Sequence, residues 1–454
     1  MPWCLMASGN EFIQKNIMAT ENTIFSSTKE ALKIQYLADS RPWVIAYSGG
    51  KDSTLVLQLV CEVLIDLQSQ HSKPVYVITS DTLVEPPNVA AYISNNLQNI
   101  TNSAKKQNLP IEIVVATPEP SERFWSKIIG KGYPSPTRWF RWCTTAMKIK
   151  PTKYIIDKIT RTHGSVILLL GTREDESNSR KRRMEDRLYS ERKLNPHHEI
   201  ANALVFSPIQ YWTNDDVWEY LYLNNPAPWG LRHDTMISLY KQANGGECPL
   251  VMDLNTPSCG GSRFGCWTCT VVKSDKSMEG FINTGDRWMT PLNNFRNWLK
   301  EIRENTEFRL PTRRDGSQGL GPFTPSVREE ILSRLLKMEK ELGLPLISDE
   351  EIAYIQSVWA SEFDLGEKAI RLAKAHGRNI AGRVQMQLEN NERQILDSLI
   401  AEFELSPEVV SSVLNLAEEF RLRHDEWGAK SQIQKRLSDI IETALKQAKL
   451  AGSV

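Results

Sequence analysis

The segment Val44-Ile45-Ala46-Tyr47-Ser48-Gly49-Gly50-Lys51-Asp52-Ser53 constrains this chain more than any other. Four apolar residues and Ser48 run into two glycines, and the polar triplet Lys51-Asp52-Ser53 opens a new apolar run, Thr54 to Val60. The pattern predicts a buried strand that turns sharply into a helix. Two glycines let a backbone approach a ligand closely and adopt dihedrals other residues avoid. Free N–H groups at a helix start, with the helix dipole behind them, form an anion site. Ser48 and Ser53 can add hydroxyls and Lys51 a mobile positive charge, while Asp52 can cap the helix or help hold Mg²⁺. The spacing is not that of the nucleoside-triphosphatase loop, which places four residues between its glycine and Gly-Lys-Ser/Thr. The shorter loop suits a pyrophosphate lying across the helix start. The plain alternative is an unliganded turn capped by Asp52.

The flanking pattern sets the fold class. Pro42–Ala46, Pro74–Ser80, Ile111–Ala116 and Ser165–Leu170 read as strands, and Thr54–Leu67, Val89–Lys106 and Lys153–Thr162 as helices between them. Strands alternating with helices predict an α/β fold with a doubly wound, mostly parallel sheet. Asn214–Leu221 reads as a helix capped by Thr213 or Asn214. Gly245–Cys269 is a loop region, and Arg309–Pro325 a Pro/Gly-rich connection. Amphipathic stretches follow at 328–342, 391–403, 406–421 and 430–449. The expected organisation is a helical extension (1–40), an α/β domain with the loop (41–225), a Cys-rich segment (226–325) and a helical C-terminal domain (326–454).

Composition narrows the class of partner. The 454 residues carry 55 basic and 55 acidic side chains, so no global field attracts a polyanion and contact with nucleic acid must come from local patches. One such patch is Arg180-Lys181-Arg182-Arg183, beside Glu185, Asp186 and Glu191; a DNA or nucleotide contact and a salt-bridged solvated helix are equally good readings of it. No run of 18 apolar residues suggests a membrane span. Residues 1–10 lack a basic stretch followed by an apolar one, so a cytoplasmic location is expected.

Three further segments stand where doubly wound sheets bind ligands, at the carboxyl ends of strands or the starts of helices. They are Ser80-Asp81-Thr82-Leu83-Val84-Glu85-Pro86, Trp142-Cys143 through Lys148-Ile149-Lys150-Pro151, and Gly171-Thr172-Arg173-Glu174-Asp175-Glu176-Ser177. With Ser-Gly-Gly-Lys-Asp-Ser they resemble, in order, the elements of the PAPS reductase-like branch of the PP-loop ATP pyrophosphatases. The resemblance implies ATP and Mg²⁺ as ligands, with Ser48, Gly49, Gly50, Lys51, Asp52, Ser53, Asp81, Gly171 and Arg173 holding the nucleotide. Lys51, Asp52 and Arg173 are the expected catalytic residues.

Seven cysteines in a chain expected in the cytoplasm argue against a disulfide scaffold. Cys248, Cys259, Cys266 and Cys269 cluster, and Cys266-x₂-Cys269 has the spacing that brings two thiolates to one metal. Four thiolates suit zinc or a [4Fe–4S] cluster, and spacing alone does not separate them. The resemblance favours iron–sulfur, held by Cys143, Cys259, Cys266 and Cys269, with Cys248 the rival for Cys259. The cysteine-rich stretch and the helical region after it are similar to the DndC-type DNA phosphorothioation proteins. That likeness implies attack of a DNA phosphodiester oxygen on the α-phosphorus of ATP. Sulfur then displaces AMP, supplied by a cysteine desulfurase through the cluster or a cysteine persulfide. DNA, the desulfurase and other phosphorothioation proteins of the same system are the implied partners, with no membrane. A sulfonucleotide reductase, a tRNA-thiolating enzyme and a silent nucleotide-binding scaffold are the rival functions.

Overall fold

The structure is a computed structural model that describes residues 24–71, 73–176, 194–197, 200–244, 264–364, 366–380, 390–402, 406–423 and 429–451. Two compact units divide the chain: Met1–Pro118 with Thr137–Arg296, and Glu119–Pro136 with Asn297–Val454.

The first unit is built on a six-stranded sheet in the order β3-β2-β1-β4-β6-β5. Its strands are β1 (Trp43–Ala46), β2 (Val75–Ser80), β3 (Ile111–Ala116), β4 (Val166–Leu169), β5 (Asn195–Pro196) and β6 (Ala203–Phe206). All pairs are parallel except β5 with β6, at the edge. The four expected strands are present. The expectation missed β5 and β6. Strand order reverses between β1 and β4, and such a reversal opens a crevice at the carboxyl ends of the two strands.

Side chains alternate across each strand, and that alternation places the layers. Trp43 packs edge-on against Tyr36, ring centres 5.1 Å apart, and so faces helix α1 (residues 24–37). Val44, one residue on, joins Ile78 and Leu168 in a core with Ile156 and Ile159 of α5 (Lys150–His163). Between them in sequence lie α2 (Lys51–Leu67), α3 (Pro87–Lys106) and α4 (Trp142–Thr144). A π-helical turn, Thr145–Ile149, joins α4 to α5, so helix begins earlier than the periodicity of 153–162 suggests. Thr213 caps the helix Asn214–Leu223 through a reciprocal box with Asp216, a device that satisfies otherwise orphaned backbone donors. Helices Asp234–Ala243 and Lys276–Asn283 occupy sequence expected to be a cysteine-rich segment.

The second unit is helical, with Pro325–Leu342, Asp349–Glu362 and Lys368–Ala375 among its elements. Glu119–Pro136 belongs to it, although the composition of the sequence suggested an uninterrupted α/β domain to residue 225. The ties are specific: the indole of Trp125 donates to Leu346 O at 2.7 Å and that of Trp359 to Ile129 O at 2.8 Å. A long-range tie of this kind leaves no mark on local composition. Among the described residues no helix is long and apolar enough to cross a membrane.

Candidate active site

A cleft of about 780 Å³ lies in the first unit, walled by residues that follow β1, β2 and β4. The loop after β1 closes on itself. Ser53 Oγ donates to Gly50 O at 2.9 Å and accepts from Ser48 N at 3.2 Å. Its single proton is thereby committed, so Ser48 is the donor in the 3.1 Å contact between the two hydroxyls. Gly49 has φ +73°, and a Cβ there would meet Ile93 at 2.7 Å; glycine is required on both counts. The Lys51 N–H, first of the helix start, donates to the hydroxyl of Tyr240 at 3.2 Å. A phenolic oxygen thus stands where an anion's oxygen would be welcomed by the helix start.

Charge is concentrated beside the loop. Lys51 Nζ lies 2.9 Å from Asp52 Oδ2. Arg173, only 3% exposed, donates from Nε to Asp52 Oδ1 at 2.7 Å and from Nη1 to Asp175 at 3.2 Å. It also reaches Trp212 O. A buried guanidinium is tolerated because two carboxylates and a carbonyl satisfy it. The pairing depends on Gly171, where a Cβ would meet the Asp52 carbonyl carbon at 2.8 Å. Lys148 and Lys153 line the same cleft, so four cations there face the carboxylates of Asp52, Asp175 and Glu85. The excess is positive, as a polyphosphate requires.

Asn214 also lines the cleft. Its backbone N–H donates to Asp175, but its side chain is 5% exposed and, among the described residues, both amide atoms are without a hydrogen-bond partner. A buried amide left so costs about 1–3 kcal/mol per lost partner, and a ligand in the cleft would relieve it. Asn214, Asp175 and Tyr240 were not singled out as site residues in the sequence. Only their positions after β4, at a helix start and on a helix distant in sequence bring them to the loop.

The sequence model of the phosphoadenosine phosphosulfate reductase domain matches residues 42–272, just over half of the chain. The chain belongs to that family. Two curated relatives, both from Methanocaldococcus jannaschii, are the uncharacterized proteins MJ0066 and MJ0973. The first is 25% identical over 296 residues, covering 64% of this chain and 48% of the relative. The second is 27% identical over 217 residues, covering 47% and 44%. The chain thus spans about half the length of the curated relatives it matches. Among solved structures, Candida glabrata FMN adenylyltransferase with FMN and the ATP analogue AMPCPP aligns at TM-score 0.31 and 11% identity. That alignment covers 69% of this chain and 83% of the other. The U34-tRNA thiolase NcsA from Methanococcus maripaludis with its [4Fe-4S] cluster aligns at 0.30 and 11%, covering 66% and 85%.

Within this reductase-type domain, the turn after β2 meets the cysteine segment. Asp81 serves its own turn, its carboxylate accepting from Leu83 N at 2.8 Å, while Ser80 and Glu85 reach the cleft wall. Thr82 Oγ1 donates to Glu85 at 2.6 Å and lies 3.4 Å from Cys266 Sγ. Trp267 N donates to Val84 O at 3.0 Å. Burial pushes the Cys266 thiol up to about 12, and the Cys143 thiol is also raised by burial and by Cys269 nearby. Three of the four expected cluster cysteines therefore gather in one place. Cys259 and its rival Cys248, like the basic run Arg180–Arg183, lie outside the described residues. Among the described residues no group of three or more His, Cys, Asp or Glu side chains is arranged to hold a metal ion. Thiols are soft donors of the kind iron–sulfur and zinc take, but the described residues do not arrange three of them about one ion.

Proposed function

We propose that this chain is an ATP pyrophosphatase that adenylylates a DNA backbone phosphate so that sulfur can replace one of its oxygens. One observation supports it most: the Asp52–Arg173 pair, held beside the glycine loop at the point where strand order reverses. ATP would rest its outer phosphates on the Ser48–Ser53 loop, leaving its α-phosphorus open to attack, and Asp52 would help hold the Mg²⁺ that neutralises those phosphates. A DNA phosphate oxygen attacks that phosphorus and the bond to the β-phosphate's bridging oxygen breaks. Pyrophosphate leaves, and the DNA phosphate is left joined to AMP. The outer sulfur of a cysteine persulfide formed by a cysteine desulfurase then attacks the DNA phosphorus and displaces AMP, and a second thiol cleaves the S–S bond, leaving the phosphorothioate and a disulfide. Lys51 and Arg173 stabilise the charge that gathers on the leaving oxygens.

Cys143, Cys266 and Cys269, with Cys259 as the fourth ligand, would hold a [4Fe–4S] cluster, which supplies electron transfer or a sulfur-binding iron when bound. Other phosphorothioation proteins of the same system would choose the DNA target.

Pyrophosphate release from ATP, with DNA and desulfurase present, tests the reading. Lys51→Ala and Asp52→Ala should each slow it by about 10²-fold or more. Equal rates in parent and variants would sink the assignment, and sulfonucleotide reduction without ATP cleavage would replace it with the reductase reading. Anaerobic purification should yield a brown protein containing iron; a colourless protein with stoichiometric zinc would overturn the cluster.

A further inference from the structure

Residues 137–163 lead from an exposed loop, through Cys143, along the outer face of α5. They contain seven lysines and arginines and one acidic residue, Asp157, in a chain whose net charge is zero. Arg138, Trp139, Phe140 and Arg141 are all exposed, Trp139 to 96%. Their loop is nonetheless built: Thr137 Oγ1 accepts from the backbone of Trp139 at 3.2 Å and of Phe140 at 2.9 Å. Phe140 O in turn accepts from Thr137 N at 3.2 Å. An indole held in water by an ordered turn forgoes the large burial that aromatic rings ordinarily gain.

The same bias continues along α5. Ile156 and Ile159 are buried against the sheet, while Lys150, Lys153, Tyr154, Lys158 and Arg161 are exposed. At 3.6 residues per turn these five fall on one face, spread over roughly 16 Å. The stripe reaches the cleft, because Lys148, Ile149, Thr152 and Lys153 form part of its wall.

We propose that this stripe is a docking surface for a DNA strand, leading its backbone into the cleft with Trp139 stacked on a base. The assignment rests on the reading of the cleft as a site that acts on a DNA phosphate. Cations at regular spacing, interleaved with exposed rings, match a ligand with repeated negative charges and flat bases.

The experiment is fluorescence anisotropy of labelled single-stranded and duplex DNA oligonucleotides with the full chain, across a salt series. Trp139→Ala should weaken binding of the single strand roughly 10-fold, the size of one lost stacking contact. Lys158→Ala with Arg161→Ala should lower the slope of log Kd against log salt by about 1 to 2, one phosphate contact for each cation. Unchanged thermal midpoints and ATP affinity establish that these exposed substitutions leave the fold intact. Wild-type affinity and slope in both variants would overturn the surface, as would binding to phosphatidylserine vesicles in place of DNA. ATP cleavage with no DNA binding would also remove it while leaving the nucleotide reading standing. Stripe-dependent DNA binding without ATP cleavage would keep the surface and remove that reading.

Discussion

Arg173 Nε donates to Asp52 Oδ1 at 2.7 Å, joining the turn after β4 to the first turn of α2. The contact locks two strand ends together at the place where strand order reverses. It also fixes the carboxylate that stands closest to the phosphate loop's lysine.

Arg173→Lys tests whether that lock matters for chemistry. Lysine keeps the charge but cannot hold Asp52, Asp175 and Trp212 O at once. The turnover number for pyrophosphate release should fall about 10²-fold, with a smaller change in ATP affinity. Stopped-flow or coupled phosphate assays read both; a wild-type turnover number would show the pair to be structural.

Gly171→Ala tests the close approach beneath the pair. The added methyl would press on the Asp52 backbone, which belongs to a helix start and has little room to yield. Overpacking of this kind costs about 1–3 kcal/mol. The thermal midpoint should drop by several degrees and nucleotide affinity should fall, both measurable by scanning fluorimetry with and without ATP.

Asn214 invites the opposite result. Asn214→Leu replaces an amide that has no partner among the described residues with an apolar group of similar size. Removing such a group relieves about 1–3 kcal/mol. The ligand-free protein should become more stable, while the stabilisation gained from ATP should shrink. Unfolding curves at rising ATP concentration separate the two effects, and a variant that loses stability without ligand would refute the argument.

His233 predicts an acid-sensitive fold. Its ring nitrogen lies 2.7 Å from Gln58 Oε1. Gln58 Nε2 donates to Glu62 and Asn224 O, so the histidine is the donor in that contact. Burial pushes its pKa down from 6.5 to about 4. Above pH 6.5 the ring is neutral in both folded and unfolded chains, and its ionisation costs nothing. Between 6.5 and 4 the unfolded chain takes up a proton that the folded one refuses, so stability falls with pH by about 3 kcal/mol at most. Urea midpoints across that window should fall more steeply for the parent than for His233→Gln.

The alternation of strand and helix and the Ser48–Ser53 loop were readable because each is local. A strand, two glycines and a helix start declare themselves within a few residues. The four strands foreseen alternate with recognised helices; β6, the same length as β1 and β4, depends on pairing with β4 for its identity. The compact units were illegible for a related reason, since Glu119–Pro136 joins the helices through Trp125 and Trp359.

The sequence by itself determined the anion loop, the parallel α/β plan and the pairing of two cysteines at Cys266 and Cys269, because propensity, glycine geometry and ligand spacing act over short stretches. Only the tertiary structure decided that Arg173 clamps Asp52, that Tyr240 covers the Lys51 N–H and that Cys143 comes near Cys269. It also left Asn214 without a partner among the described residues of the cleft. The Arg173–Asp52 and Tyr240–Lys51 contacts join residues more than a hundred positions apart, and only the packing of the sheet brings them within a hydrogen bond's length.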